Sequence, residues 1–311
     1  MTEDFIIFAG TANPELAAGV ARELGVPLGA CAIERFPDGE LSVRLDEPVR
    51  GREVFVVQPT GPPVNENLVE LLAFADACRR ASSARVTAVV PYFGYARADK
   101  RNGRREPITA SMVADLMQAV GITHVVTLDV HTPQLEGFFR IPFDSLSAVG
   151  VLAEALREKL PEGAAVVSPD AGRARMAAEY AQRLGAPVVV LLKRRESGTE
   201  TRVTHVVGDV RGRPCLIVDD MISTGGTIVE SVKALVAAGA RPGVSVAATH
   251  GLLLDGARDK LERAGVREVF VTDTVKTAAE GRAQLHVISV APLVAAALRR
   301  LLSNESLGDL C

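Results

Sequence analysis

Short apolar, β-branched runs punctuate the first half of the chain: Phe5 to Phe8, Val54 to Val57, Val86 to Val90 and Val125 to Leu128. Each is bounded by turn-forming residues and none alternates strictly, the pattern of strands buried on both faces of a parallel sheet. Between them, Glu15 to Leu24, Asn67 to Arg80 and Ala110 to Val120 carry apolar residues three and four apart, which predicts helices. Strand alternating with helix predicts an α/β fold. The rhythm restarts after residue 148, with strands expected near Ala165 to Ser168, Val188 to Leu192, Leu216 to Val218, Val244 to Thr249, Glu268 to Thr272 and His286 to Ser289. Two domains are therefore expected, residues 1–147 and 148–311. The segments starting at Val54 and Cys215 both read as strand, polar Gly/Pro loop, amphipathic helix and strand, consistent with an internal duplication. The general likeness of all βαβ units is the other account of that match.

Composition agrees. The 311 residues, 48% hydrophobic and 23% charged, suit two domains of ordinary globular type. A net charge of −3 speaks against nucleic acid as a partner, because sequence-independent binding needs a dominant positive field. Cys31, Cys78, Cys215 and Cys311 are far apart with no paired spacing, so neither a disulfide framework nor a zinc site is expected, and a reducing cytoplasm fits best. The N-terminal stretch has acids where a secretory signal would have basic residues. The longest nearly uncharged stretch, Ala283 to Leu298, contains Gln284, His286 and Pro292 and falls short of the ~20 apolar residues of a membrane span, so no membrane partner is expected.

The most informative segment is CLIVDDMISTGGT, from Cys215 to Thr227. Leu216 to Val218 reads as a buried strand, with Asp219 and Asp220 at its carboxyl end, the edge where open α/β sheets bind ligands. Gly225 and Gly226 allow successive N–H groups to converge on an anion, and the hydroxyls of Ser223, Thr224 and Thr227 add donors at the start of the next helix. Two acids beside a phosphate seat cannot bind phosphate but can accept from sugar hydroxyls or hold a magnesium shell. Together they describe a phosphorylated sugar. No Lys follows the glycines, so this is not a Walker loop.

This segment resembles the phosphoribosyl diphosphate (PRPP) motif of the type I phosphoribosyltransferase fold. That fold serves transferases that consume PRPP and ribose-phosphate diphosphokinases, or PRPP synthetases, that make it. RFPDGE from Arg35, PVNENL from Pro63, YFGYAR from Tyr92, Asp129-Val130-His131, Gly137-Phe138-Phe139 and SPDAG from Ser168 resemble PRPP synthetase segments, in that family's order. The likeness runs from about Phe5 to Leu301. It implies two tandem phosphoribosyltransferase-like domains, each a mostly parallel sheet flanked by helices, and transfer of the β,γ-diphosphoryl group of Mg-ATP to ribose 5-phosphate.

The resemblance also implies roles. Phe36, Asp38 and Glu40 form an adenine-binding turn, often serving an adjacent subunit, so a homo-oligomer is implied. Arg97 contacts ATP phosphates, with Asp99 beside it, in a stretch holding five basic residues between Tyr95 and Arg105. Alone, such a stretch reads equally as a solvated loop. His131 takes ATP and, with Asp170, Mg2+; lone strand-end histidines are more often structural. Lys193 and Arg195, read as following a strand and preceding a polar loop, neutralise charge on the transferring group. Asp219, Asp220, Ser223, Thr224, Gly225, Gly226 and Thr227 take ribose 5-phosphate. No general base is assigned. The chain departs from the family at Ser223, where Asp is common, at Arg173, where a second Gly is common, and at Ala98, where Gln is common. A phosphoribosyltransferase with an extra domain and a non-catalytic relative are the alternatives.

Overall fold

The apolar runs and amphipathic stretches fold largely as read, in a computed structural model that describes residues 5–101, 103–195, 201–277 and 284–311. Contacts divide the chain into two units, Met1–Ser147 with Thr274–Lys276 and Val290–Cys311, and Ala148–Asp273 with Thr277–Ser289.

The first unit runs β1 (Phe5–Ala9), α1 (Pro14–Leu24), β2 (Cys31–Arg35), β3 (Leu41–Leu45), β4 (Glu53–Val57), α2 (Val64–Arg80), β5 (Arg85–Val90), α3 (Thr109–Ala119), β6 (His124–Leu128) and β7 (Phe143–Leu146). Its main sheet is parallel throughout, in the order β1-β4-β5-β6-β7. Phe8, Val56, Leu71, Phe74 and Met117 are fully buried in its core. α1 shows how local chemistry sets an element. Asn13 accepts from the Leu16 N–H, Pro14 starts the first turn, and Gly25 closes the helix at φ 74°.

The second unit runs α4 (Val149–Arg157), β8 (Ala165–Ser168), α5 (Ala174–Leu184), β9 (Val188–Arg195), β10 (Thr201–Val207), β11 (Cys215–Ile222), α6 (Gly226–Ala237), β12 (Val244–Gly251), α7 (Ala257–Arg263), β13 (Val266–Thr272) and β14 (Gln284–Ile288). Its sheet order is β10-β9-β8-β11-β12-β13-β14, parallel except where β10 turns back along β9. The run β8-β11-β12-β13-β14 matches β1-β4-β5-β6-β7 strand for strand, and each unit has a hairpin between its first two parallel strands. That shared order goes beyond a generic βαβ likeness. The expected class holds: α/β, with mostly parallel sheets flanked by helices.

The last helix, α8 (Ala291–Leu302), groups with the first unit, so the sequence-order assignment of residues 148–311 to one domain differs from the contact grouping. α8 packs on α1, where a Cβ on Gly19 would come within 2.9 Å of the Ala291 Cβ, and Arg299 donates to the Glu23 carbonyl at 2.9 Å.

Four local readings change. The polar turn at Arg35 to Glu40 is the tip of an antiparallel ribbon, β2 with β3, whose strands the sequence reading missed. β6 stops at Leu128, and His131 lies beyond it, past Asp129 at φ 35°. β9 continues through Lys193 and Arg195, held by pairing with Val203 and Thr201 of β10, so these residues lie within a strand rather than after it. β11 continues to Ile222, so Asp219 and Asp220 lie inside the strand, not at its end.

Candidate active site

In the second unit, β11, a three-residue loop and α6 form one continuous structure from Cys215 to Ala237. Ser223 is half-buried, Gly225 is buried, and Thr224, Gly226 and Thr227 are exposed. Gly225 stands at φ 75° immediately before α6, a conformation that costs any residue with a Cβ. An added Cβ there would lie 3.2 Å from Leu261 Cδ2 of α7. No side chain among the described residues caps α6, so its first-turn N–H groups form a positively polarised seat suited to an anion. The loop is pinned from the other side by the Leu253 and Leu254 N–H groups, which donate to the Ile222 and Ser223 carbonyls at 2.9 and 3.0 Å.

Asp219 and Asp220 are both buried, with side-chain exposures of 11% and 3%. Burial pushes the Asp219 carboxyl well above the usual carboxylate range, the neighbouring Asp220 adds to this, and the Arg173 guanidinium pulls the other way. Arg173 Nε donates to Asp219 Oδ1 at 3.2 Å, and its Nη2 lies 2.9 Å from Asp220 Oδ2. Asp170 follows β8 and caps a short turn, Ala171–Arg173, by accepting from the Arg173 N–H at 3.2 Å. The sequence reading flagged Arg173 as a departure but not its partners, which stand 46 and 47 positions away and leave no local signal.

In the first unit the segment after β5 turns back at Tyr95, which has φ 65° and whose hydroxyl bonds Asn65 of α2. Behind it lies a cavity of about 700 Å³ lined by Asn65, Tyr92, Tyr95, Arg97, Ala98 and Lys100 among others. Arg97 and Lys100 are exposed and bring two positive charges to this cavity, which the acid Glu106 also lines. Asp99 accepts from the Thr132 hydroxyl at 3.0 Å and from Lys100 Nζ at 3.2 Å. Burial raises the Asp99 carboxyl, but these two donors, the Lys100 charge and a backbone hydrogen bond together hold it below the ordinary value. His131, next to Thr132, is half-buried, so the Asp99 and His131 segments are tied by the Thr132 contact.

Phe36, Asp38 and Glu40 sit exposed at the ribbon tip, with Phe36 at 40% exposure. The tip is shaped by the Phe36 N–H to Glu40 carbonyl bond and by Gly39 at φ 92°. Its base is anchored by Arg35, whose Nη2 donates to the fully buried Glu70 at 2.9 Å and whose Nη1 donates to Glu66 at 3.2 Å. Glu70 also accepts from the Thr11 backbone N–H at 2.6 Å. Glu70 is not among the residues expected at the site from the sequence. It had a signal, since this acid falls in the buried helical arc of Asn67, Leu71 and Phe74.

The side chains of Lys193 and Arg195, and the polar stretch 196–200, lie outside the described residues. Among the described residues no three His, Cys, Asp or Glu side chains converge as a metal group. Mg2+ held by one or two carboxylates, several waters and substrate phosphates needs no such cluster, and the hard oxygens of Asp170 suit it. No helix among the described residues is long and apolar enough to cross a membrane.

Two family profiles match the chain: the N-terminal domain of ribose phosphate pyrophosphokinase over residues 5–121, and the phosphoribosyl synthetase-associated domain over residues 198–311. A ribose-phosphate pyrophosphokinase of Wolinella succinogenes is 41% identical over 304 residues, covering 98% of each chain. One from Caldanaerobacter subterraneus subsp. tengcongensis is 43% identical over 311 residues, covering 99% of this chain and 98% of its own. The crystal structure of phosphoribosylpyrophosphate synthetase from Mycobacterium smegmatis superposes with a TM-score of 0.89 at 44% identity, covering 96% of this chain and 99% of its own.

Proposed function

The chain belongs to the ribose-phosphate pyrophosphokinase family, and from that premise we propose that it transfers the β,γ-diphosphoryl group of Mg-ATP to the anomeric hydroxyl of D-ribose 5-phosphate, giving 5-phospho-α-D-ribose 1-diphosphate and AMP. The observation that carries this reading is the structure of residues 215–237, where paired buried acids, an αL glycine and an uncapped helix start follow one another. The α6 N-terminus and the hydroxyls of Ser223, Thr224 and Thr227 take the 5-phosphate, while Gly225 and Gly226 let the backbone approach it. Asp219 and Asp220 accept from ribose hydroxyls.

ATP belongs to the first unit in this account. Arg97 meets phosphate oxygens at this cavity, with Asp99 and His131 beside it. Phe36, Asp38 and Glu40 present an exposed aromatic ring and acceptors to an adenine, and the exposure of this tip among the described residues fits a homo-oligomer in which a second copy completes the adenine site. When bound, Mg2+ would supply charge neutralisation on the phosphates, and the hard oxygens of Asp170 would hold it. The new bond joins the anomeric oxygen to the β-phosphorus, the bond from that phosphorus to the α–β bridging oxygen breaks, and AMP leaves. Such a step draws on positioning and charge neutralisation more than on covalent chemistry from the protein, and Lys193 and Arg195 supply the cations for it. The four free cysteines and the small soluble substrates fit a cytoplasmic enzyme.

The test is direct. Purified protein incubated with ribose 5-phosphate, ATP and Mg2+ should show AMP and the sugar diphosphate by phosphorus NMR. Spectra no different from those of a heat-killed control would remove the proposal.

A further inference from the structure

The chain places an arginine where the resemblance leads one to expect glycine, and the fold turns that arginine onto the two acids of the sugar site. β8 and β11 are neighbours, with Ile217 opposite Val167, so the acids of β11 stand just beyond the paired region, beside the turn that follows β8. That turn is capped by Asp170 and ends at Arg173. The Nε and Nη2 edge of the guanidinium then spans two different carboxylates, reaching Asp219 Oδ1 at 3.2 Å and Asp220 Oδ2 at 2.9 Å. All three side chains are largely buried, at 15%, 11% and 3% exposure.

We propose that Arg173 is a positioning residue for ribose 5-phosphate binding, acting through Asp219 and Asp220. The inference rests on the reading of residues 219–227 as the ribose 5-phosphate site. Two adjacent buried carboxylates repel each other and also repel an incoming phosphate dianion. A guanidinium bridging them cancels one of the two charges and fixes both side chains before substrate arrives, which a planar two-pronged donor does and a point charge does not. Burial makes the effect large, because little water screens it. Stability alone is a poor reason for such a cluster, since buried ion pairs often give no net stabilisation over apolar packing.

The experiment compares full-length wild type with Arg173→Gly, Arg173→Met and Arg173→Lys. The readouts are kcat, KM for each substrate, ribose 5-phosphate affinity by calorimetry without ATP, and melting temperature. The Gly and Met variants should weaken ribose 5-phosphate binding about tenfold or more, with KM for ATP and kcat within about threefold of wild type. Lys should recover part of the loss, because it restores charge without the two-pronged edge. If one of the two uncharged variants fails to fold, the other compared with Lys gives the same decision. Unchanged ribose 5-phosphate affinity alongside a lower melting temperature would make Arg173 purely structural and overturn the inference. A wild type that binds no ribose 5-phosphate would instead overturn the site reading on which it rests.

Discussion

The ribbon formed by β2 and β3 carries the proposed adenine turn but, among the described residues, pairs with no strand of the main sheet, so its aim depends on what holds its base. Glu70→Gln tests that dependence. The carboxylate has no exposed side-chain surface and accepts from the Thr11 N–H at 2.6 Å, from the Thr11 hydroxyl, and from Arg35 Nη2 at 2.9 Å. Glutamine keeps one oxygen for the Thr11 N–H, and the Thr11 hydroxyl can rotate to accept from the new amide. Arg35 has no acceptor to offer, so the loss concentrates on that contact. A hydrogen bond to a charged group contributes about 1.5–3 kcal/mol, but Arg35 is 38% exposed and keeps Glu66, so water and that second acid recover part of it. We expect destabilisation of about 1–2 kcal/mol by urea denaturation. Because Arg35 is the last residue of β2 and Phe36 the first of the turn, loosening should also raise KM for ATP about 3–10-fold while leaving KM for ribose 5-phosphate within about twofold. Initial rates of AMP formation measure both constants. Destabilisation with an unchanged KM for ATP, or an equal rise in both constants, would refute the link between Glu70 and the turn.

Other perturbations follow the same logic. Gly225→Ala forces a Cβ into a φ of 75° and toward Leu261, so stability should fall by about 1–2 kcal/mol and ribose 5-phosphate affinity should fall with it; unchanged melting and binding would contradict the loop geometry. Lys193→Ala should cut kcat by orders of magnitude with ribose 5-phosphate binding nearly intact, checked by turnover and calorimetry; the reverse pattern would remove Lys193 from the transfer step. Asp219 has a folded-state proton affinity above its unfolded one, so the folded state holds more protons above the unfolded value near 3.8, and stability falls as pH rises through that window. Asp219→Asn should therefore show a shallower loss of stability than wild type as pH rises above 3.8, while losing ribose 5-phosphate affinity. Parallel melting curves for the two proteins would contradict this sign.

The parallel strands were legible because burial on both faces leaves uninterrupted runs such as Val54 to Val57. Their helices were legible from three-and-four spacing. The ribbon was not, because both of its strands are only half-buried and carry charges such as Glu34 and Arg44, so no apolar run marks them. β11 was cut short at Val218 because two acids inside a strand look like its end, and only pairing such as Asp219 with Ala248 reveals the continuation. Likewise β9 was ended before Lys193, whose place in the strand comes from its partner Val203. At the site, the phosphate loop was readable as a local string, since strand, acids, glycines and helix follow in thirteen residues. The contacts of Arg173 with Asp219 and of Arg35 with Glu70 were not, because they join positions 46 and 35 apart. The placement of α8 on α1 spans nearly the whole chain and was equally silent.

The central claim is that the bond broken lies between the α- and β-phosphates of ATP. Parallel reactions with α-labelled and β-labelled [32P]ATP, ribose 5-phosphate and Mg2+ test it most directly. The account predicts the α label in AMP and the β label in the sugar diphosphate, with no transfer when ribose 5-phosphate is omitted. Recovery of the β label in ADP, or release of labelled diphosphate independent of the sugar, would contradict it.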